Sequence, residues 1–145
     1  MYATRYQNVL VDTAKASLQR EAALHIQALK ETALVMDEGT KTNALDLVAT
    51  KVMLLRLHQQ SGGHLALYDA QGRLIVDSTE WVDNTEPLPV DGETVEEVLN
   101  GEEPRYYLAH MNGTSKILQI GIPVQHGNDI LGALFMAREP GFIEQ

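Results

Sequence analysis

The sequence predicts one α+β domain, two helices followed by five short antiparallel strands. Two observations carry this. Glycine and proline total 16, and residues 1–60 contain one of them, Gly39, against 15 in residues 61–145. Both residues break helices, so the first part can be helical and the rest must turn often. Apolar spacing changes at the same place, from a period near 3.6 to short alternating runs bounded by turn residues. At 145 residues, 44% of them hydrophobic and 21% charged, the chain suits a single globular domain.

Residues 4–37, within a helical region 1–38, read as one long helix. Val11, Ala14, Leu18, Ala22, Ile26, Leu29, Ala33 and Met36 fall on one stripe, with Lys15, Gln19 and Lys30 opposite. At about 1.5 Å per residue it reaches roughly 50 Å, longer than the domain is wide, so part of the stripe overhangs. Gly39 is the expected stop. Residues 43–60 read as a second helix, with Leu45, Val48, Val52 and Leu55 as its apolar face and Asn43 as its N-cap.

The sheet region runs over 64–138. His64–Tyr68 and Arg73–Asp77 form a hairpin around Asp69-Ala-Gln-Gly72. Residues 78–92 make a loop, and Glu93–Leu99 a short helix with an acidic first turn, stopped at Asn100-Gly101. Arg105–Met111 and Thr114–Val124 are strands joined at Asn112-Gly113. Ile130–Arg138 is apolar on both faces and is expected at the sheet centre. Pro123 cannot donate to a ladder and belongs at a strand end or an edge.

A two-residue turn at Asn112-Gly113 sets a register. Tyr107 then faces Leu118, and Arg105 faces Ile120. On the other face Tyr106 lies opposite Gln119, Leu108 opposite Ile117, and His110 opposite Ser115. Leu118, Ile120, Ile122 and Val124 would pack on the long helix. Tyr106, His110 and Gln119 would share a mostly apolar surface with Tyr68, the composition of a small-molecule pocket. Arg105 and Lys116 are the nearest cations, placed to receive a carboxylate at its rim. A half-exposed sheet face with ordinary aromatic–polar pairs is the alternative, and a three-residue turn would exchange the two faces.

The formal charge of −9 is local. Residues 77–103 hold ten of the 20 acidic residues and no lysine or arginine. This segment is either a surface for divalent cations and cationic partners or a solvated loop with a favourably charged helix start. It contains no calcium-loop motif. The acid excess argues against nucleic acid. With no cysteine, thiol catalysis and thiolate metal sites are excluded. The five histidines include no i,i+4 helical pair, and no serine stands in a nucleophile elbow, so no metal site, cofactor or catalytic residue is expected. Met1 is followed by no charged and apolar signal segment, and no run approaches 18 apolar residues.

The stretches LALYDAQGRLIVDS, VEEVLNGE and KILQIGIPVQHGNDILGALFMAREP resemble the extracytoplasmic PAS-like sensor domain of bacterial sensor histidine kinases. This is the Cache or PDC type, found also on chemoreceptors and diguanylate cyclases. The match covers roughly residues 64–140. The resemblance implies a PAS-like five-stranded antiparallel sheet with the long helix across one face. It also implies membrane spans before residue 1 and after residue 145 that anchor a parent receptor. It further implies a small-molecule or cation pocket between sheet and loop, no catalysis in the domain itself, and signalling by helix rearrangement. The candidate ligand residues are then Tyr68, Arg105, Tyr106, His110 and Gln119, and the overhanging helix stripe predicts a homodimer through the N-terminal helix. A roadblock- or profilin-like dimerisation scaffold is the competing reading, disfavoured by the length of that helix.

Overall fold

The computed structural model describes the backbone of residues 2–61, 63–81, 90–101, 103–111 and 115–138. It describes side chains over 12–60, 63–81, 90–101, 103–107 and 117–137. The described residues form three helices, α1 (Tyr2–Thr32), α2 (Leu47–Ser61) and α3 (Gly92–Asn100), and seven strands. The strands are β1 (Leu34–Asp37), β2 (Thr42–Leu45), β3 (His64–Asp69), β4 (Leu74–Asp77), β5 (Arg105–Met111), β6 (Ser115–His126) and β7 (Asp129–Arg138). The last five form one antiparallel sheet in the order β4-β3-β7-β6-β5, while β1 and β2 form a separate two-stranded hairpin. The α+β class and the five-stranded sheet agree with the sequence expectation.

The helical part departs from it. The long helix stops at Thr32, whose hydroxyl folds back on the Ala28 carbonyl at 2.7 Å, and residues 34–37 turn into β1. The run Leu34-Val35-Met36 suits a strand as well as a helix, and pairing with Thr42–Leu45 decides between them. Gly39 therefore lies in a hairpin turn, where its N–H donates to Asp37 Oδ1 at 2.9 Å, rather than ending a helix. The second helix begins at Leu47 and not at residue 43. Its cap is Asp46, which accepts from the Ala49 N–H at 2.9 Å. Asn43 is instead a β2 residue whose backbone and side-chain amides both donate to Asp129 at the β6–β7 turn.

That late start rotates α2. Thr50 and Leu54 are buried, with Met53 and Leu57 beside them, whereas the expected face residues Val48 and Val52 are 73% and 54% exposed. The expected helical stripe fails at its end, where Met36 is a β1 residue 63% exposed, although Ala33 just past α1 is buried. On α1 it holds from Ala14 onward. Leu18, Ala22 and Leu29 are buried, Ala14 and Ile26 partly so, and His25 joins them at 5% exposure. These residues pack on Leu65 and Leu67 of β3, Leu118 and Ile120 of β6, and Leu134 and Met136 of β7. Each buried leucine contributes about 2 kcal/mol, so this face holds most of the hydrophobic stabilisation.

The other face of the sheet carries α3. Asp91 caps it through the Thr94 N–H at 2.7 Å, and that hydrogen bond holds the carboxyl below its ordinary pKa. Val95 and Val98 then pack on Ala66, Ile117, Ala133 and Phe135. The close approach requires a residue without a side chain at Gly121, because a Cβ there would lie 2.6 Å from the Phe135 ring and 2.8 Å from Val98.

β7 is central, as its two apolar faces predict, and residues 131–137 are all buried. The β3–β4 turn also follows expectation, with Gly72 at φ 83° and Asp69 accepting from the Gln71 and Arg73 N–H groups. Pro123 pairs with β7 but lies past Gly121, where β5 pairing ends, so it occupies a locally open edge. After the single 3₁₀ turn Ser78–Glu80, residues 82–89 of the predicted loop lie outside the described residues.

Candidate functional site

The turn between β5 and β6 decides which residues can meet. The ladder pairs Met111 with Ser115, leaving three residues in the connection rather than two. Every pair therefore moves by one from the two-residue expectation. Tyr106 faces Ile120, Tyr107 faces Gln119, and His110 aligns with Lys116 instead of Ser115. Because side chains alternate, this shift exchanges the faces of β5 relative to β6.

Tyr106 is thereby removed from the expected pocket. It sits on the α1 side, where its hydroxyl donates to Gln19 Oε1 at 2.7 Å and the Lys15 ammonium lies 5.3 Å from its ring. Tyr106 and Gln119 point to opposite faces and cannot touch one ligand. The side chains of His110 and Lys116 lie outside the described residues.

The structure does bring Tyr68, Gln119 and Arg105 to one face, the α3 face. Reading across the strands, Tyr107 pairs with Gln119, Gln119 with Ala137, and Ala137 with His64. These four residues form one row, about 14 Å long at the usual strand spacing. The next row is Arg105, Gly121, Phe135 and Ala66, on which α3 rests. Tyr68 closes the far side, its ring edge-on to Phe135 with centroids 5.6 Å apart.

Gln119 is the unusual member. It is 1% exposed, yet its Oε1 has no hydrogen-bond partner, and neither has the enclosed hydroxyl of Tyr107. A buried polar atom without a partner costs on the order of 1–3 kcal/mol, so two in register on adjacent strands are uncommon in a settled core. Burial pushes the Tyr107 phenol above its ordinary pKa, with Glu97 adding to the rise, Arg105 opposing it, and Asp91 adding again. Burial and then Asp77 raise Tyr68 in the same direction. Both phenols are neutral donors at physiological pH. At the rim the Arg105 guanidinium lies 3.8 Å from the Glu97 carboxylate, both about half exposed, and a shallow groove of about 330 Å³ follows α3 from Glu93 to Arg105.

Tyr107 and His64 are the row members that sequence reasoning leaves out. Alternation from Tyr68 through Ala66 reaches His64, so that signal was available. Tyr107 depends on the turn length, which Asn112-Gly113 points to wrongly.

The acidic segment does not gather into a cation site among the described residues. Asp77 and Asp91 cap the 3₁₀ turn and α3, and no group of three or more His, Asp or Glu side chains converges. A larger cleft, about 520 Å³, lies between the β1–β2 hairpin and the turns at Asp69 and Asp129, but those two carboxylates are already engaged by Arg73 and Asn43. Among the described residues, no helix is long and apolar enough to cross a membrane. No protein-family model matches the chain, and no curated protein matches it.

Proposed function

We propose that this chain is a non-catalytic ligand-sensing module of the PAS-like, Cache type. It would be the extracytoplasmic part of a membrane-anchored sensor histidine kinase and act as a homodimer through α1. The observation that carries the sensing role is the pair of unpartnered polar atoms, Gln119 Oε1 and the Tyr107 hydroxyl, on the sheet face opposite the long helix. The five-stranded antiparallel sheet, with a long helix on one side and a short helix on the other, is in keeping with the sequence resemblance.

A route from ligand to helix follows from the alternation of β5 and β6. Tyr107 and Gln119 line the α3 face, while the adjacent Tyr106, Leu118 and Ile120 belong to the core beneath α1. A ligand that draws Tyr107 and Gln119 together moves the strand segments that hold Tyr106, and Tyr106 holds α1 through Gln19. The shift in α1 is limited to the ligand's difference in affinity between the two helix positions. α1 spans about 46 Å, enough to carry such a shift well past the sheet.

A thermal-shift screen of amines, amino acids, organic acids and divalent cations tests the reading. The expected hit raises Tm for the wild-type chain and fails to do so for Gln119→Leu. A hit that persists undiminished in Gln119→Leu places the ligand elsewhere. Tyr106→Phe is expected to keep the hit while removing the ligand's effect on amide exchange in α1. Sedimentation that shows only monomer at millimolar concentration would count against the dimer.

A further inference from the structure

The atoms left without partners restrict what this face can accept. Gln119 offers a carbonyl oxygen, which only accepts hydrogen bonds, so its partner must bring a donor. A carboxylate, phosphate or halide brings none. The Tyr107 hydroxyl can donate or accept and sets no sign by itself.

The charges around the row set the sign. α3 presents Glu93, Glu96 and Glu97, its cap is Asp91, and Glu103 precedes β5. Arg105 is the one cation on the described part of this rim, and its 3.8 Å pairing with Glu97 is exposed and loose. His64 stands at the far end of the row, three strands from Tyr107. The field at the Tyr107 end is negative, in keeping with the upward push that Glu97 and Asp91 give its phenol. The floor beside the row is apolar, made by Ile117, Phe135 and Ala137.

We infer that this face binds a small organic ammonium, a primary or secondary amine in its protonated form with an apolar body. Its N–H donates to Gln119 Oε1, its charge is held by the Glu97 side of α3, and its hydrocarbon lies on Ile117 and Ala137. This assignment rests on the reading of the α3 face as the ligand site and adds the sign and donor character of the ligand.

The test uses the full chain at pH 8 and follows the Gln119 side-chain amide by nitrogen–proton NMR, with Gln119→Leu identifying its resonance. The probes are n-butylammonium, tetramethylammonium, n-butanol and butyrate, each to tens of millimolar. n-Butylammonium is expected to shift the resonance saturably. Its Kd should rise roughly three- to tenfold in Glu97→Gln, as loss of one nearby charge in a partly solvated site implies. It should stay unchanged in Glu38→Gln, an exposed carboxylate on the β1–β2 turn. Tetramethylammonium, a cation without N–H, should leave the resonance in place. Equal effects of butanol and butylammonium would overturn the charge assignment while the ligand site stands. Equal effects of the two ammonium ions would overturn the donor assignment. A response to butyrate alone would reverse the sign and overturn the inference, again leaving a ligand site. If no probe moves the Gln119 amide, the inference and the ligand-site reading fall together.

Discussion

The two faces of the central sheet share their strands and differ in how completely they are finished. On the α1 face, Leu29, Leu54, Leu65, Leu67, Ile120 and Leu134 are fully buried, and every one is apolar. On the α3 face the filling is smaller and mixed, alanines and Gly121 beside Phe135, with Gln119 and Tyr107 set among them. β6 supplies both, sending Leu118 and Ile120 to one side and Gln119 and Gly121 to the other. The contrast shows a division of labour within single strands. One face supplies most of the burial that keeps the chain folded, although α2 on that side also buries Thr50 with its hydroxyl unpartnered. The other sets two such polar atoms in register on adjacent strands.

The largest effect should come from cutting into the finished face. Leu29→Ala on α1 is expected to cost about 3–5 kcal/mol in urea unfolding, because a rigid, fully buried site collapses little around the cavity. A cost below 1 kcal/mol would show that α1 is not the main support of the sheet. A smaller loss, about 1–3 kcal/mol, is expected for Gly121→Ala, where the new methyl must displace Val98 or the Phe135 ring. Its signature in hydrogen exchange should be faster exchange in α3 with α1 close to wild type. Equal acceleration in both helices would mean that the faces are not independent.

A weaker effect concerns pH. Tyr68, Tyr106 and Tyr107 all have pKa values raised above 10.0 by burial. The folded chain therefore keeps phenolic protons that the unfolded chain loses, and stability should fall as pH rises above about 10. The urea midpoint is expected to be lower at pH 11 than at pH 9, and the drop should shrink in the double variant Tyr68→Phe with Tyr107→Phe. An identical drop in that variant would assign the alkaline loss to other groups.

Much of the architecture was legible because it depends on local signals. The Asp69–Gly72 turn, the acidic start of α3, the central place of β7 and the period of α1 each reflect a few neighbouring residues. What was not legible depended on distant partners. Leu34–Asp37 satisfied the helical period, and only pairing with Thr42–Leu45, together with the bonds from Asn43 to Asp129, made it a strand. The site failed at one point for a similar reason. Asn112-Gly113 favours a two-residue turn, the ladder uses three, and a one-residue slip sent Tyr106 to the helix and brought Tyr107 to Gln119. Tyr68 and Gln119, on β3 and β6, keep the common face that alternation predicts, because the slip acts on β5 alone. Arg105 changes sides together with Tyr107 and joins them there.

The claim that the unpartnered Gln119 amide on the α3 face serves a ligand is tested most directly by the unfolding free energy of Gln119→Leu with no ligand present. If the amide serves a ligand rather than the fold, replacing it with an apolar side chain of similar size removes a buried, unpartnered carbonyl. The variant should then be as stable as the wild type or more stable, by up to about 1 kcal/mol. A loss of about 2 kcal/mol or more would show that Gln119 supports the folded sheet, and would contradict the division of labour between the two faces.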